Sequence, residues 1–234
     1  MEGQTKMDRM IDNSAFVEEC NRGLAMVWVD FESSLAKVPI VARLLAGRFR
    51  AEDYRILLLN LRQQVIEGGR WIARAGSSFG ADHEDLRSMF LRHAVEEHRD
   101  YRMLEDNFVL AGGDREEIRG RRKNVGSAAF SGFMFHTASQ PDPVGLMGAM
   151  FVIEGLGEKL AGDWSRMIVE QTGLPDEAVS FMAYHSDHDG DHLEAFDEAL
   201  RIGIRSREDA QDIVHCAKVV ARLYRLQLEE LDNV

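Results

Sequence analysis

Two histidines and an aspartate recur at helical spacing in the stretch Tyr184-His-Ser-Asp-His-Asp-Gly-Asp-His192. At 100° of rotation per residue, His185, Asp189 and His192 lie at about 0°, 40° and −20°, on one stripe of a helix. His188, at about −60°, would reach the same side. Imidazole and carboxylate ligands suit iron, manganese or zinc, and the lack of clustered thiols argues against structural zinc. The stretch predicts a metal site; a solvated polar helix face is the alternative.

A glutamate lies inside the apolar run Phe151-Val-Ile-Glu-Gly-Leu-Gly157. Burying an unpaired carboxylate costs several kcal/mol unless it is protonated, paired or bound to metal. Glu154 is therefore a second candidate ligand, with a buried ion pair to an arginine as the alternative. Gly155 and Gly157 each weaken a helix by about 1 kcal/mol relative to alanine, which favours close approach of another backbone or a ligand.

A further glutamate falls on the apolar face of a helix that includes Phe90–Tyr101. The apolar positions of that face are Phe90, Ala94, Tyr101, Leu104 and Phe108. Glu97 lies in the middle of the face, with His93 and Asp100 on its flank, whereas His98 lies near the opposite edge. The desolvation argument makes Glu97 a third candidate ligand, and a salt-bridged or partly hydrated glutamate is the alternative.

Carboxylates and histidines that project from separate helices into a bundle are the donors of carboxylate-bridged di-iron sites. Glu67 is either a further metal ligand from a fourth helix or a surface charge. Tyr101 and Trp164 either line the substrate pocket or are ordinary packing residues. Three arginines on one helix are open between recognition of a substrate carboxylate and ordinary surface charge: Arg62, Arg70 and Arg74.

The elements that must position these residues are helices throughout. Apolar residues recur at spacings of three and four, no sustained alternation of the β type occurs, and only four prolines interrupt the chain. Helices are predicted over 13–32, 36–47, 51–75, a segment that ends at Gly112–Gly113, 125–137, 143–172, 174–203 and 206–231. The prediction is a single all-α domain over 1–234, with about seven or eight helices and a flexible segment 1–12.

Composition limits the partners and the compartment. The formal net charge of −12 disfavours contact with nucleic acid or anionic lipid, and no apolar run approaches the ~20 residues of a membrane span. The first residues lack a secretory signal, and Cys20 and Cys216 indicate no disulfide framework. A cytoplasmic protein without nucleic-acid or membrane partners is expected, and the assembly is left open between monomer and homodimer.

Three stretches resemble a known superfamily. The segment Val38–Asn60 is similar to the second and third helices of heme-oxygenase-like proteins, also described as the TenA/PqqC-like fold. The stretches His93–Gly113 and Phe151–Leu160 resemble the central helices of that superfamily. The resemblance covers about residues 15–230 and implies a single heme-oxygenase-like helical bundle.

The branch that the chain resembles most is that of the iron-dependent heme-oxygenase-like oxidases. Its last ligand helix carries His-x-x-x-Asp-x-x-His, matched by the residues His185, Asp189 and His192. Its middle-helix glutamate matches Glu154, and its earlier Glu-x-x-His matches Glu97 and Asp100, with aspartate where the family usually has histidine. His93 or His98 is the alternative source of that imidazole.

The resemblance implies an O₂-activating, non-heme iron oxidase or oxygenase with about two irons per chain and an amino-acid- or fatty-acid-like substrate. Heme is not expected, because the first helix has no axial histidine. Two alternatives remain: a small-molecule-binding protein that has lost the chemistry, and a TenA-like hydrolase. The hydrolase is disfavoured because Cys20 and Cys216 do not lie where that branch has its nucleophile.

Overall fold

The computed structural model describes the backbone of residues 2–233 and the side chains of residues 13–187 and 195–232. Every regular element in these ranges is helical, which confirms the all-α prediction. The α-helices are α1 (Glu2–Leu35), α2 (Pro39–Leu45), α3 (Ala51–Val65), α4 (Gly68–Ser78), α5 (Glu84–Glu97), α6 (Tyr101–Leu110), α7 (Arg115–Gly120), α8 (Val125–Ala138), α9 (Met147–Leu156), α10 (Gly162–Thr172), α11 (Ser180–Gly203) and α12 (Arg207–Glu229). None of the described helices combines the length and the apolar character needed to cross a membrane.

Polar side chains begin several helices by accepting hydrogen bonds from N–H groups that the first turn leaves free. Asp114 accepts from the first turn of α7, and Asn124 from Ser127 N of α8. Ser206 and Asp209 form a reciprocal capping box at the start of α12. These caps set where the helices begin and so fix the rotation of the residues that follow.

Helix α12 packs against α1, α8 and α9 and contributes much of the core. Ile213, Ala217 and Val220 of this helix are fully buried. Gly148 allows α9 to approach α12 closely, because a Cβ at this position would collide with the carbonyl oxygen of Ile213. Helix α9 carries Glu154, so this approach also determines how deep that carboxylate lies.

Replacing Gly148 with alanine should lower the free energy of unfolding by about 1–3 kcal/mol, because the added methyl group forces two backbones apart. Gly132→Ala is the matched control. Gly132 lies inside α8, where a Cβ would meet no atom of the described chain within 4 Å, so alanine there should stabilise the helix by about 0.5–1 kcal/mol. Urea unfolding of the two variants measures both effects, and equal stabilities would contradict the close approach.

The helix predicted over 51–75 is divided after Val65 into α3 and α4. Gly68 and Gly69 follow the division, and their low helix propensity favours it. A Cβ at Gly69 would lie 2.8 Å from His98 Cα, so glycine here lets α4 approach the end of α5. The packing of α4 on α5 thus accounts for a break that periodicity alone does not show.

A second predicted helix is also divided, at residues 98–100, between α5 and α6. The turn is closed by a hydrogen bond from Asp100 N to Glu97 O at 3.3 Å. No glycine or proline marks it, and Gly69 of α4 packs closely against His98 at this turn. The stop predicted at Gly112–Gly113 is confirmed, since α6 ends at Leu110 and Gly112 has φ +86°.

The long helix predicted over 143–172 consists of a short 3-10 turn, α9, the π-helical turn Gly157–Ala161 and α10. The polar region after Gly113 contains the short helix α7, which the sequence interpretation did not place. A π-helical turn inside an α-helix often marks a functional site. Here it begins at Gly157, three residues after Glu154.

Candidate metal centre

Three side chains from two distant parts of the chain lie close together. Glu97 ends α5, Asp100 lies in the following turn, and His185 projects from α11. One potential ligand atom from each lies within 4.8 Å of the other two. His185 Nε2 is 3.5 Å from Asp100 Oδ2, and these side chains are only 11% and 13% exposed. Among the described side chains, this is the only such group of three or more metal-ligating residues.

Two more donors adjoin this group. His93 lies four residues before Glu97 on α5, which places both side chains on the same face of the helix. His93 Nε2 is 3.1 Å from Glu154 Oε1, and both side chains are largely buried. We call His93, Glu97, Asp100, Glu154 and His185 the carboxylate–histidine cluster.

The carboxyl group of Glu97 has a strongly raised pKa. Its pKa rises from 4.5 to about 7, first because burial penalises the charged form and then because Glu154 and Asp100 add negative charge. His93 and His185 act in the opposite direction. A bound cation would offset the same repulsion, so the raised pKa is the electrostatic pattern expected of a metal-ligand set in its metal-free form.

The ring of Phe181 packs against the His185 imidazole, with centroids 4.4 Å apart. The two residues are four apart on α11, so helical geometry keeps the contact in place. Behind Glu154, a Cβ on Gly155 would lie 2.7 Å from the Trp28 ring. The close approach at Gly155 is thus made by an aromatic side chain, not by the backbone or ligand that the sequence predicted.

The structure brings together four of the six predicted ligands: Glu97, Asp100, Glu154 and His185. The other two, Asp189 and His192, lie outside the residues whose side chains are described, as does His188. Their part of the motif stays a prediction.

Of the two histidines weighed as the missing imidazole, His93 lies in the cluster and His98 does not. His98 is exposed, and its Nδ1 lies 2.6 Å from the carbonyl oxygen of Val95. Both His93 and Asp100 are present at the site, so the imidazole and the aspartate are not alternatives. The spacing of four residues between His93 and Glu97 was the sequence signal that could have identified His93 as a candidate ligand.

Glu67 is held by other partners. Its Oε2 is 2.5 Å from Lys123 Nζ and 2.5 Å from Ser131 Oγ. The side chain is 16% exposed, and it ties the α3–α4 junction to the start of α8. Glu67 is thus a paired structural carboxylate in this structure.

A cavity of about 120 Å³ adjoins the cluster. Its described lining includes four of the cluster residues: His93, Glu97, Glu154 and His185. Aromatic side chains provide much of the rest: Trp71, Trp164, Phe181 and Tyr224. Trp164 therefore lines the pocket, one of the two roles considered for it in the sequence analysis. Sequence reasoning missed Gln64, Trp71 and Tyr224, because nothing in their local spacing distinguishes them from ordinary core residues.

Tyr101 and Arg62 belong to a different part of the molecule. The Arg62 guanidinium lies 5.3 Å from the centroid of the Tyr101 ring, and its Nη2 is 2.8 Å from Glu105 Oε1. Glu105 is 2% exposed and also pairs with Arg119 at 2.8 Å. Arg62 therefore neutralises a buried carboxylate of its own chain and does not line the cavity beside the cluster.

The two cysteines are both buried, and burial raises the pKa of each thiol to about 12. Neither Cys20 nor Cys216 lines the cavity. A thiol with so high a pKa is almost entirely protonated at neutral pH and is a poor nucleophile.

Comparison with known proteins supports the fold. No family model matches the sequence, and no curated protein matches it. A domain of unknown function with a heme oxygenase-like fold from Shewanella denitrificans OS217 has a TM-score of 0.82 at 19% identity, over 89% of this chain and 90% of that one. A TenA homolog from Pseudomonas syringae pv. tomato strain DC3000 has a TM-score of 0.67 at 15% identity, over 90% and 92% of the two chains. The likeness confirms the predicted heme-oxygenase-like fold.

Proposed function

On the premise of a heme-oxygenase-like fold, we propose that this protein is a non-heme iron oxidoreductase that uses O₂ to oxidise a small organic substrate. The observation that carries the proposal is the buried carboxylate–histidine cluster beside a cavity lined mainly by apolar and aromatic groups. Glu97, Asp100 and His185 would hold iron, together with Glu154 and His93. Asp189 and His192 are the further ligands that the sequence predicts.

The donor set fits a transition metal better than the hard cations. Two imidazoles and three carboxylates provide nitrogen and oxygen donors without a thiolate, a combination suited to iron, manganese or zinc. Calcium and magnesium are normally bound by oxygen donors alone. A ferrous centre would supply the electrons that O₂ needs for reaction, a step that no side chain of the cluster performs by itself.

The chain's own residues prepare the site for such chemistry. The contact between His93 and Glu154 orients the Glu154 carboxyl group, and the Phe181 ring holds the His185 imidazole. In the metal-free protein the Glu97 carboxyl group, with a pKa of about 7, can hold a proton near neutral pH, and a bound cation would displace that proton. The apolar walls of the cavity limit the access of water to the cluster.

The substrate would occupy the cavity beside Glu97 and His185. The resemblance to the iron-dependent oxidases implies an amino-acid- or fatty-acid-like molecule. The volume of about 120 Å³ supports a small substrate or a small part of a longer one. A hydrolase of the TenA type is less well supported, because both cysteines are buried with high pKa values and lie outside the cavity.

Protein produced in iron-supplemented medium should retain iron, with about two ions per chain if Asp189 and His192 complete a di-iron site. Metal analysis measures the stoichiometry, and an oxygen electrode measures O₂ uptake by the ferrous protein. We expect O₂ consumption that rises when a substrate is found in a panel of amino and fatty acids. Protein that binds iron and never consumes O₂ would favour the small-molecule-binding alternative.

A further inference from the structure

A second pocket, away from the carboxylate–histidine cluster, is lined mainly by charged side chains. Four of its seven described lining residues are arginines, although the chain carries a formal net charge of −12. We call this site the arginine pocket, formed by Arg62 of α3, by Tyr101, Arg102, Glu105 and Asp106 of α6, and by Arg115 and Arg119 of α7. None of these residues lines the cavity beside the cluster. The arginine pocket is therefore a distinct site.

The innermost part of the pocket holds a buried carboxylate with two guanidinium partners. Glu105 Oε1 accepts hydrogen bonds from Arg62 Nε at 3.1 Å and from Arg62 Nη2 at 2.8 Å. Glu105 Oε2 accepts from Arg119 Nε at 2.9 Å. The side chains of Glu105 and Arg62 are 2% and 10% exposed. One buried negative charge thus serves two arginines, and the pairing holds the Arg62 guanidinium in one orientation.

The other carboxylates beside these arginines are exposed. Arg115 Nη2 is 2.6 Å from Asp106 Oδ1, and Arg119 Nη1 is 3.2 Å from Glu116 Oε1. The side chains of Asp106 and Glu116 are 61% and 80% exposed. Exposed ion pairs of this kind contribute only about 0–1 kcal/mol each. An anionic ligand can therefore replace either carboxylate as the partner of its arginine at little cost.

Arg102 has no carboxylate partner among the described residues. Its guanidinium lies 6.0 Å from the centroid of the Tyr101 ring, which the Arg62 guanidinium approaches at 5.3 Å. Attraction to the face of an aromatic ring limits where each guanidinium lies. The pocket thus has a positioned arginine whose N–H donors are available to a ligand.

The arrangement of the arginines indicates the kind of anion. Guanidinium groups match the oxygens of carboxylates and phosphates by paired N–H donors. Here they come from three helices, which suits the divergent oxygens of a tetrahedral phosphate better than the two coplanar oxygens of a carboxylate. The volume of about 410 Å³ also leaves room for an organic group attached to the phosphate.

We propose that the arginine pocket binds the phosphate group of a small molecule, with Arg102, Arg115 and Arg119 donating hydrogen bonds to its oxygens. Arg62, held by Glu105, supplies fixed positive charge beneath them. Binding of this kind needs neither iron nor O₂, so the proposal is independent of the proposed function.

The test compares three anionic probes by isothermal titration calorimetry of the full chain near neutral pH. Phenyl phosphate and phthalate each carry an aromatic ring and a double negative charge, but only the first has a tetrahedral phosphate. Inorganic phosphate has the same anionic group without the organic body. Phenyl phosphate should bind about tenfold more tightly than phthalate and at least as tightly as inorganic phosphate.

Substitutions assign the binding to the pocket. Arg102→Gln should weaken the binding of phenyl phosphate about tenfold, because it removes charge-assisted hydrogen bonds. It leaves no described carboxylate without its partner, so the fold should be unaffected. Arg102→Lys keeps the charge without the paired donors and should give an intermediate affinity. Arg115→Gln should also weaken binding about tenfold.

Arg99→Gln is the matched control. Arg99 is also exposed, lies three residues before Arg102 and does not line the pocket, so its loss should change the affinity by no more than about twofold. His185→Ala should likewise leave phosphate binding unchanged, because the arginine pocket contains no candidate metal ligand.

Several results would overturn the proposal. Phthalate that binds as tightly as phenyl phosphate would contradict the preference for a tetrahedral group, and inorganic phosphate that binds more tightly than the ester would contradict the organic body. An equal loss in Arg99→Gln and Arg102→Gln would reduce the effect to general surface charge. Binding that disappears in His185→Ala would place the anion on a metal ion at the cluster instead.

Discussion

Glu97→Gln and His185→Ala should each lower the affinity for ferrous iron by about 100-fold or more, because each removes a ligand from a buried set whose other members then hold uncompensated charge. Glu97→Gln should leave the fold intact, since the repulsion within the metal-free cluster falls when a buried carboxylate is replaced by a neutral amide. Anaerobic competition with a chelator of known affinity measures the change. Uptake of O₂ by the iron-loaded protein should fall in parallel.

His98→Ala is the control for this experiment. His98 is exposed and lies one residue after Glu97, so its loss should leave iron affinity within about twofold of the parent. His192→Ala extends the test to the part of the motif outside the described residues. If Glu97→Gln and His185→Ala bind iron as the parent does, the metal site lies elsewhere or does not exist.

Without metal, the protein should become less stable as the pH rises from about 4.5 to 7. The pKa of Glu97 is about 7 in the folded state and 4.5 when unperturbed. Between these values the folded chain holds a proton that the unfolded chain has released, so each pH unit lowers the free energy of unfolding by up to about 1.4 kcal/mol. The total loss is roughly 3 kcal/mol, complete once the pH exceeds the folded-state pKa.

Urea unfolding at several pH values in the presence of a chelator measures this slope. Glu97→Gln should flatten the profile, because its amide does not titrate, whereas Glu96→Gln should retain it, because the Glu96 side chain is 58% exposed. Bound iron should reverse the trend, since metal competes with protons for the same ligands. A metal-free profile that rises from pH 5 to 7 would contradict the buried state of Glu97.

The desolvation argument identified Glu97 and Glu154 from the sequence because a carboxylate in an apolar stripe is costly wherever the helix lies. The spacing of His185 within its helix was equally local information. Each of these signals can be recognised from the sequence of a single helix, without knowing which helices it packs against. The all-α class was predictable for the same reason, since the helical periodicity runs through nearly the whole chain.

The features that could not be predicted depend on contacts between distant helices. The turn at residues 98–100 carries no glycine or proline, and α4 packs closely against it. The hydrogen bond between Gln227 and Gln64, for example, joins residues 163 positions apart in the sequence. Periodicity contains no information on which helices face each other, so the cavity lining could not be derived from it.

Position 69 lies far in sequence from every candidate ligand, and its residue has no side chain with which to do chemistry. Its contact with His98 nevertheless falls between Glu97 and Asp100, the two carboxylates on either side of the turn. The packing of α4 against this turn therefore affects the distance between two candidate oxygen donors, the carboxylates of Glu97 and Asp100. A larger side chain at position 69 would displace the main chain at His98. The distance between the Glu97 and Asp100 carboxylates would then change, although the new side chain touches neither of them.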